Sequence, residues 1–186
     1  MPKQQVTSKF EAELYRPVKP DGDAPWCFML LPKKVSDTLP RRGRTTVRGT
    51  INGESFQVTL EPDGQLSHWL KVSEELQNLA GAAVGDTVSV ELSAIDEPEP
   101  ELPADLDEAL AGAPDARQTW DKTTTIARLD WIHWLDSAKQ AKTREKRILN
   151  ACDMLAKNKK RVCCFDPSGF YSKAFKAPKP ASLTNG

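Results

Sequence analysis

Residues 47–60 have the sequence VRGTINGESFQVTL, and this stretch decides the fold of the first half of the chain. Apolar and polar residues alternate on both sides of Asn52-Gly53, which is typical of two β-strands that each bury one face. An Asn-Gly pair favours the positive φ angles of a two-residue hairpin turn. The stretch therefore predicts an antiparallel β-hairpin.

Further strands are predicted on either side of this hairpin. Alternating or continuous apolar residues indicate four of them, at residues 10–14, 26–31, 66–72 and 87–95. Before the last of these, Ser73 is a good N-cap for a short helix that reaches about Ala80 and ends at Gly81. Six short strands with frequent turns predict a small closed β-barrel.

The charge of the second half of the chain is uneven. Between Asp96 and Asp121 there are nine carboxylates and one arginine, a net charge of −8. From Lys139 onward there are twelve lysines and arginines against three carboxylates, a net charge of +9. The formal net charge of the whole chain is +0, which predicts no general attraction to nucleic acid or to an anionic membrane. Pairing between the two segments is therefore at least as plausible as pairing with an outside partner.

After residue 96 the pattern changes from strands to helices. Residues 97–103, EPEPELP, are typical of a stiff, acidic linker. Helical spacing of apolar residues then predicts about three helices, near residues 102–110, 126–135 and 143–157. Gly112 with Pro114 is interpreted as the break that ends the first of them. We therefore expect an α+β protein with a closed six-stranded barrel at residues 8–96, the linker at 97–103, a helical region at 104–160 and a basic, aromatic, partly ordered tail at 161–186.

Two groups of motifs carry a resemblance to known bacterial families. Gly49-Thr50-Ile51-Asn52-Gly53, Phe56 and the run GDTVSVEL at residues 85–92 resemble a small β-barrel domain of unknown function, number 1905. Farther along, the chain resembles the YdeI/OmpD-associated (bacteriocin-protection) family. The motifs that carry this resemblance are Pro103-x-Asp105-Leu106, Ala109-Leu110, Trp131-Ile132, Ala138-Lys139, Thr143-Arg144 and Arg147-Ile148. The resemblance implies this two-part fold and a loose link to envelope stress or bacteriocin protection. It implies no reaction.

Familiar catalytic signatures are missing from the chain. It contains no G-x-x-x-x-G-K-[ST], G-x-G-x-x-G, G-x-S-x-G or H-E-x-x-H motif, and these mark common nucleotide, hydrolase and zinc sites. The two histidines are far apart and the four cysteines form no C-x-x-C pair, so we expect neither a metal nor a cofactor. Adjacent Cys163 and Cys164 are expected to point apart on an extended backbone, and all four cysteines are interpreted as reduced, buried thiols.

Two features of the sequence bear on location. No apolar run approaches the ~20 residues that cross a bilayer, and residues 1–10 contain no apolar segment of a secretory signal. We therefore expect a cytoplasmic protein without membrane insertion.

His68 is the more interesting of the two histidines. Alternation places it on the apolar face of its predicted strand, with Leu66, Leu70 and Val72. It is either a base or ligand in a pocket, or a core residue whose ring nitrogens bond to the backbone. The core interpretation is preferred because small barrels are filled with side chains, which places any ligand at the barrel mouth. His133 lies on the wetter side of its helix and is expected to be exposed.

The other candidates for ligand binding lie on the predicted helices. Lys139, Arg144 and Arg147 form the densest cationic patch there. Guanidinium groups bind phosphate or carboxylate in a bidentate way, but these cations are equally suited to pair with the acidic segment or to remain solvated. Trp131 and Trp134, three residues apart, are predicted to be core residues or to lie between helices and barrel.

The basic end of the chain suggests a second kind of partner. The candidates for contact with nucleic acid are Lys159, Lys160, Arg161, Phe165 and Tyr171. Cations interleaved with aromatic rings are typical of surfaces that bind single-stranded nucleic acid. The alternative is a strand that packs on the barrel and buries Val162, Cys164 and Phe165.

These features favour a non-catalytic binding or protective module whose helices dock a protein or a small ligand, which predicts a hydrophobic groove between the barrel and the helices. One alternative is nucleic-acid binding through the basic C-terminal segment. The other is an unrecognised enzyme with a site at the barrel mouth, which requires a cleft that contains a perturbed His68 or a carboxylate beside Arg144.

Overall fold

The computed structural model describes residues 6–20, 22 and 24–181. The chain divides into two compact units. The first contains the described residues up to Asp96 together with those from Ser168 onward, and the second is Glu97–Pro167. The fold is α+β, with the strands in the first unit and most of the helical residues in the second.

The first unit is built on a six-stranded antiparallel sheet within the described part of the chain. Its strands are β1 (Thr7–Glu13), β2 (Trp26–Leu30), β3 (Thr45–Ile51), β4 (Glu54–Pro62), β5 (His68–Ser73) and β6 (Thr87–Ala94). Their order in the sheet is β1-β6-β3-β4-β5-β2. Two short helices, α1 (Lys33–Ser36) and α2 (Glu74–Ala80), lie between strands in the sequence.

The predicted hairpin is confirmed as β3 and β4. Ile51 is paired with Glu54, and the two residues between them have φ angles of 49° at Asn52 and 85° at Gly53. Both angles are positive, as a tight hairpin turn that matches the twist of the strands requires. On the other side of β3, a Cβ atom at Gly49 would overlap the carbonyl of Glu91, so β3 approaches β6 closely only because glycine stands there.

The predicted boundaries of α2 are also confirmed. Ser73 Oγ accepts a hydrogen bond from the Leu76 amide at 3.2 Å, and Gly81 ends the helix with a φ of 62°. The prediction that Leu66 belongs to the strand of His68 is wrong. Leu66 has a φ of 65° and lies in the turn that precedes β5.

The prediction of a closed barrel is wrong, because the sheet forms an open half-barrel. In the described residues no ladder joins the two edge strands, and just beyond β1 an isolated bridge pairs Tyr15 with Phe28 of β2, which exchange backbone hydrogen bonds of 2.8 and 2.9 Å. Beyond Tyr15, the backbone bonds instead to the C-terminal segment: the Ala181 amide donates to Arg16 O and the Val18 amide to Lys179 O. These groups are therefore not available to extend a ladder onto β2.

Apolar side chains on the inner face of the sheet form the core of the first unit. The fully buried members are Leu14, Cys27, Met29, Val47, Ile51, Leu60 and Leu70. Burial of a side chain of this size contributes roughly 1.5–3 kcal/mol. The alternation that predicted the strands therefore corresponds to the face that holds the half-barrel together.

The second unit contains four helices, where about three were predicted. They are α3 (Ala104–Ala111), α4 (Pro114–Asp121), α5 (Thr125–Asp136) and α6 (Ala141–Ala156). The missed helix is α4, because Pro114 was interpreted as a break although it occupies the first turn, where the absent amide hydrogen costs nothing. The core is formed by Leu106, Leu110, Trp131, Leu135 and Leu155. No helix in the described ranges combines the length and apolar character needed to cross a membrane.

Candidate functional site

His68 is sealed inside the first unit. Its side chain is 0% exposed, and both ring nitrogens have partners. Nε2 lies 2.8 Å from the carbonyl oxygen of Gly43, and Nδ1 lies 2.6 Å from Ser36 Oγ. A carbonyl oxygen only accepts hydrogen bonds, so Nε2 carries the hydrogen and donates it, while Nδ1 accepts from the Ser36 hydroxyl.

This arrangement favours the neutral form of the His68 ring. Burial lowers the pKa of His68 below its ordinary value, and the bond to Gly43 O opposes that shift only in part. The residue links β5 to the segment after α1, so the geometry is that of a structural histidine in the core. A ligand-binding role for His68 stays a prediction.

Arg144 is held by two carboxylates in the second unit. Its Nε and Nη2 donate to Asp105 Oδ2 and Oδ1 at 2.6 and 3.1 Å, and its Nη1 donates to Asp136 Oδ1 at 2.9 Å. The bond from Arg144 is the largest cause that lowers the pKa of Asp105. The same bond raises the pKa of Arg144. Arg144 thus meets the acidic segment of its own chain.

A second arginine pairs with the predicted linker. Arg128 Nη1 donates to Glu99 Oε1 at 2.7 Å, and the Thr125 hydroxyl donates to Glu99 Oε2 at 2.9 Å. The bond from Arg128 is the main cause that lowers the pKa of Glu99. Residue 99 is therefore anchored to α5, and the charge asymmetry of the sequence is partly neutralised inside the second unit.

The remaining helix candidates occupy different environments. Arg147 Nη1 donates to Trp134 O at 2.6 Å and to Ser137 Oγ at 2.8 Å, and its guanidinium lies 5.4 Å from the Trp134 ring centroid. Trp131 is 0% exposed, and its Nε1 donates to Lys160 O at 3.1 Å. Lys139 is exposed. Binding roles for Trp131, Trp134, Lys139, Arg144 and Arg147 stay predictions.

The nucleic-acid candidates are divided between the two units. Lys159, Lys160 and Arg161 are exposed and belong to the second unit, whereas Tyr171, which is 80% exposed, belongs to the first. Phe165 is half-buried. Binding to nucleic acid stays a prediction. The alternative of a strand that buries Cys164 is wrong, because residues 161–167 form turns and Cys164 is exposed.

The prediction that His133 is exposed is also wrong. It is only 2% exposed, and its ring packs edge-on against Phe165 with a centroid distance of 5.2 Å. The periodicity of α5 predicted that His133 lies on the polar side of the helix, because periodicity takes no account of the chain that follows α6. Residues 157–167 return across the helices and cover that side of α5 at this position.

The prediction that Cys163 and Cys164 are buried and point apart is also wrong. Cys163 and Cys164 are free and exposed, and their sulfur atoms are 3.0 Å apart. The backbone is not extended there, since Cys164 has a φ of 63°. Cys27 is buried as expected, and burial raises the pKa of its thiol to about 12.

A cleft of about 260 Å³ opens in the first unit, and no sequence motif indicated it. It lies where β4 and β5 separate, because their ladder within the described residues covers only Glu61↔Trp69 and Pro62↔His68. The lining residues are Phe56, Gln57, Val58, Lys71, Ser73 and Leu76. The floor is therefore mostly apolar, and one cation stands at its edge.

An aromatic cluster adjoins this cleft on the outer face of the sheet. Trp26 and Trp69 are stacked with centroids 6.2 Å apart, and Phe28 packs edge-on against Trp69 at 6.1 Å. The Lys71 ammonium lies 4.5 Å from the Trp26 ring centroid. Alternation along β5 was a usable signal, since Trp69, Lys71 and Ser73 occupy the face opposite His68.

The described residues contain no group of three or more His, Cys, Asp or Glu side chains placed to hold a metal ion. The lining of the cleft contains none of these four residue types. The hydroxyl of Ser73 is engaged as the N-cap of α2. The cleft can therefore supply apolar contact and positive charge, and it offers no obvious acid–base pair.

Family models match both parts of the chain. Residues 10–92 match the domain of unknown function DUF1905, and residues 99–158 match the family described as bacteriocin-protection, YdeI or OmpD-associated. The resemblance predicted from the motifs, including the order of its two parts, is thereby confirmed. No curated protein matches the chain. The matched descriptions name no reaction.

Proposed function

We propose that this chain, which joins a domain of unknown function to a bacteriocin-protection-associated region, is a non-catalytic binding module. Its ligand site is the cleft between β4, β5 and α2. The observation that carries this proposal is the lining of the cleft, where Phe56, Val58 and Leu76 supply apolar surface and Lys71 supplies a positive charge. A pocket with few polar groups on an apolar floor is the usual form of a small-ligand site.

The size and charge of the cleft indicate the class of ligand. Its volume of about 260 Å³ is slightly below the range of small-molecule sites, which begins near roughly 300 Å³. Such a cleft suits a short apolar group rather than a large cofactor. Lys71 at the edge favours an anionic head group next to that apolar part, so the proposed ligand is a small amphipathic carboxylate.

Catalysis is less well supported by this geometry. Among the six lining residues only Lys71 and Ser73 carry groups that act as bases or nucleophiles in enzymes. The Ser73 hydroxyl accepts the Leu76 amide of its own helix, and the Lys71 ammonium lies over Trp26. Protection against a bacteriocin, as the description of the second family suggests, is compatible with a binding role. A cytoplasmic location stays a prediction.

The proposal is tested with octanoate as the probe, followed by amide chemical-shift changes in the intact ¹⁵N-labelled protein. Saturable shifts at the cleft residues are expected. Val58→Trp fills the cleft and abolishes them, and Lys71→Ala weakens binding through loss of the cation. Lys9→Ala is the matched control, because Lys9 pairs with Glu91 on β6. Shifts that are absent, or that are unchanged in Val58→Trp, contradict the proposal.

A further inference from the structure

Cys163 and Cys164 form a pair of exposed thiols whose sulfur atoms face one another. The Sγ–Sγ distance is 3.0 Å, and both residues are exposed and free. Adjacent side chains on an extended backbone point to opposite faces. Here the left-handed conformation of Cys164, with a φ of 63°, turns its side chain towards Cys163.

This turn is held in place on both sides. Before it, the carbonyl of Lys160 accepts the Trp131 Nε1 hydrogen bond at 3.1 Å, and Val162 packs against the core of the second unit. After it, Phe165 packs on the buried ring of His133. A left-handed conformation is unfavourable for a residue with a Cβ atom, and it persists where the surroundings determine it. The anchors on both sides are such surroundings.

Both thiols are exposed and have a cation nearby. The hydrogen bond and charge of Cys163 raise the pKa of Cys164, and the nearby Lys159 ammonium acts in the opposite direction. Reactive cysteines lie in accessible, electropositive surroundings, and the exposure of the pair and the Lys159 charge are of this kind.

A protein-bound metal is a poorer explanation of this geometry. Among the described residues, no third His, Cys, Asp or Glu joins the two sulfurs in a group that could hold an ion, while structural zinc sites need four ligands. A disulfide needs only the two sulfurs. Its bond length is about 2.05 Å, so the sulfur atoms would have to approach by about 1 Å from their separation of 3.0 Å.

We propose that Cys163 and Cys164 are a redox-active dithiol on the surface of the second unit, oxidised reversibly to a disulfide between neighbouring residues by hydroperoxides. One thiolate attacks the peroxide oxygen, becomes a sulfenic acid and releases water after protonation. The neighbouring thiol then attacks the sulfenic sulfur, which forms the S–S bond and releases a second water molecule. The sum is two thiols and one H₂O₂ giving one disulfide and two waters, and an external dithiol reverses it by exchange.

The experiment uses the intact, fully reduced chain and one equivalent of hydrogen peroxide. After free thiols are blocked with iodoacetamide, trypsin releases residues 162–173, which contain Cys163 and Cys164 and no other cysteine. After oxidation we expect this peptide to be lighter by two hydrogens and to carry no iodoacetamide label. After reduction with dithiothreitol, we expect both of its thiols to be labelled. We also expect the disulfide to form faster in the folded chain than in the chain unfolded in urea.

Substitutions separate this pair from the other cysteines. Cys164→Ser is expected to remove the disulfide and to leave Cys163 to accumulate higher oxidation states. Cys152→Ser is the control. It removes a half-buried thiol and is expected to leave disulfide formation unchanged. The reduced wild-type chain is also expected to bind one phenylarsine oxide, which requires two neighbouring thiols, and Cys164→Ser is expected to lose this binding. Equal rates in folded and unfolded chains, or disulfides that join two chains, would overturn the proposal.

Discussion

Arg144 binds Asp105 with two nitrogens of one guanidinium group, at 2.6 and 3.1 Å, although the two residues are 39 positions apart in the chain. The pair joins the last helix of the second unit, α6, to its first, α3. A third hydrogen bond, from Nη1 to Asp136, ties the same group to the end of α5. One side chain therefore links three helices and joins the acidic segment to the basic end of the chain.

Replacement of Arg144 by lysine is expected to destabilise the second unit by about 1 kcal/mol. Lysine keeps the charge, but it cannot donate the two parallel hydrogen bonds that a carboxylate accepts from arginine. The pair is partly exposed, so the loss stays within the range measured for surface networks. Urea unfolding of the Arg144→Lys variant measures it. Lys142→Ala, at an exposed position of the same helix, is the control, with an expected change below ~0.5 kcal/mol.

The stability that Asp105 contributes is expected to depend on pH. The Arg144 guanidinium holds the pKa of Asp105 below its ordinary value, so the folded chain binds a proton there less readily than the unfolded chain does. The contribution is therefore complete above the unfolded pKa, about 3.9, and is lost as the pH falls through the folded pKa. Unfolding of wild type and Asp105→Asn at several pH values should show a difference that disappears in acid. A difference that is constant with pH contradicts this account.

His68 is expected to stay neutral in the folded protein below the pH at which a free histidine takes up a proton. Burial lowers its pKa, so below about pH 6.5 the unfolded chain binds a proton that the folded chain does not. The unfolding free energy consequently falls as the pH decreases from there towards the folded pKa. Ring ¹⁵N shifts in the intact protein report the charge directly and should show a hydrogen on Nε2. A ring that titrates normally would be inconsistent with the buried geometry.

Ser36→Ala is expected to destabilise the first unit by about 1–3 kcal/mol. The Ser36 hydroxyl is the partner of His68 Nδ1 at 2.6 Å, and its loss leaves a buried acceptor without a donor. Urea unfolding measures the change. Ser55→Ala is the control, because Ser55 is exposed on β4. An effect of Ser36→Ala as small as that of the control would show that the bond contributes little.

Two glycines of the hairpin are expected to respond differently to alanine. A Cβ atom at Gly49 would overlap the backbone carbonyl of Glu91, which cannot move without a shift of β6, so a loss above ~3 kcal/mol is expected. At Gly53 no atom lies within 4 Å, but the φ of 85° strains any residue with a Cβ, which costs about 1 kcal/mol. The midpoints of urea unfolding give both values. Equal losses would mean that the close approach of β3 and β6 can relax.

Local patterns were sufficient for most of the elements of this fold. Asn52-Gly53 predicted the hairpin because positive φ angles are a property of those two residues and their immediate neighbours. Ser73 and Gly81 predicted the ends of α2 for the same reason. The pattern was misleading at Pro114, because proline breaks the interior of a helix but is accepted in its first turn.

The sequence by itself determined the six strands, α2 and three of the four helices of the second unit, the apolar face of most of these elements, and where the opposite charges lie. Only the tertiary structure decided that the half-barrel is open, that His133 is buried under Phe165, that Arg144 pairs with Asp105, and that the sulfurs of Cys163 and Cys164 meet. The physical reason is the distance along the chain over which each signal acts. Periodicity and capping depend on residues within about one or two turns of each other. The open sheet, the cover on His133 and the Arg144 pair depend instead on segments that the folded backbone brings together. The meeting of the two sulfurs depends on a left-handed turn that the packing on either side of it holds.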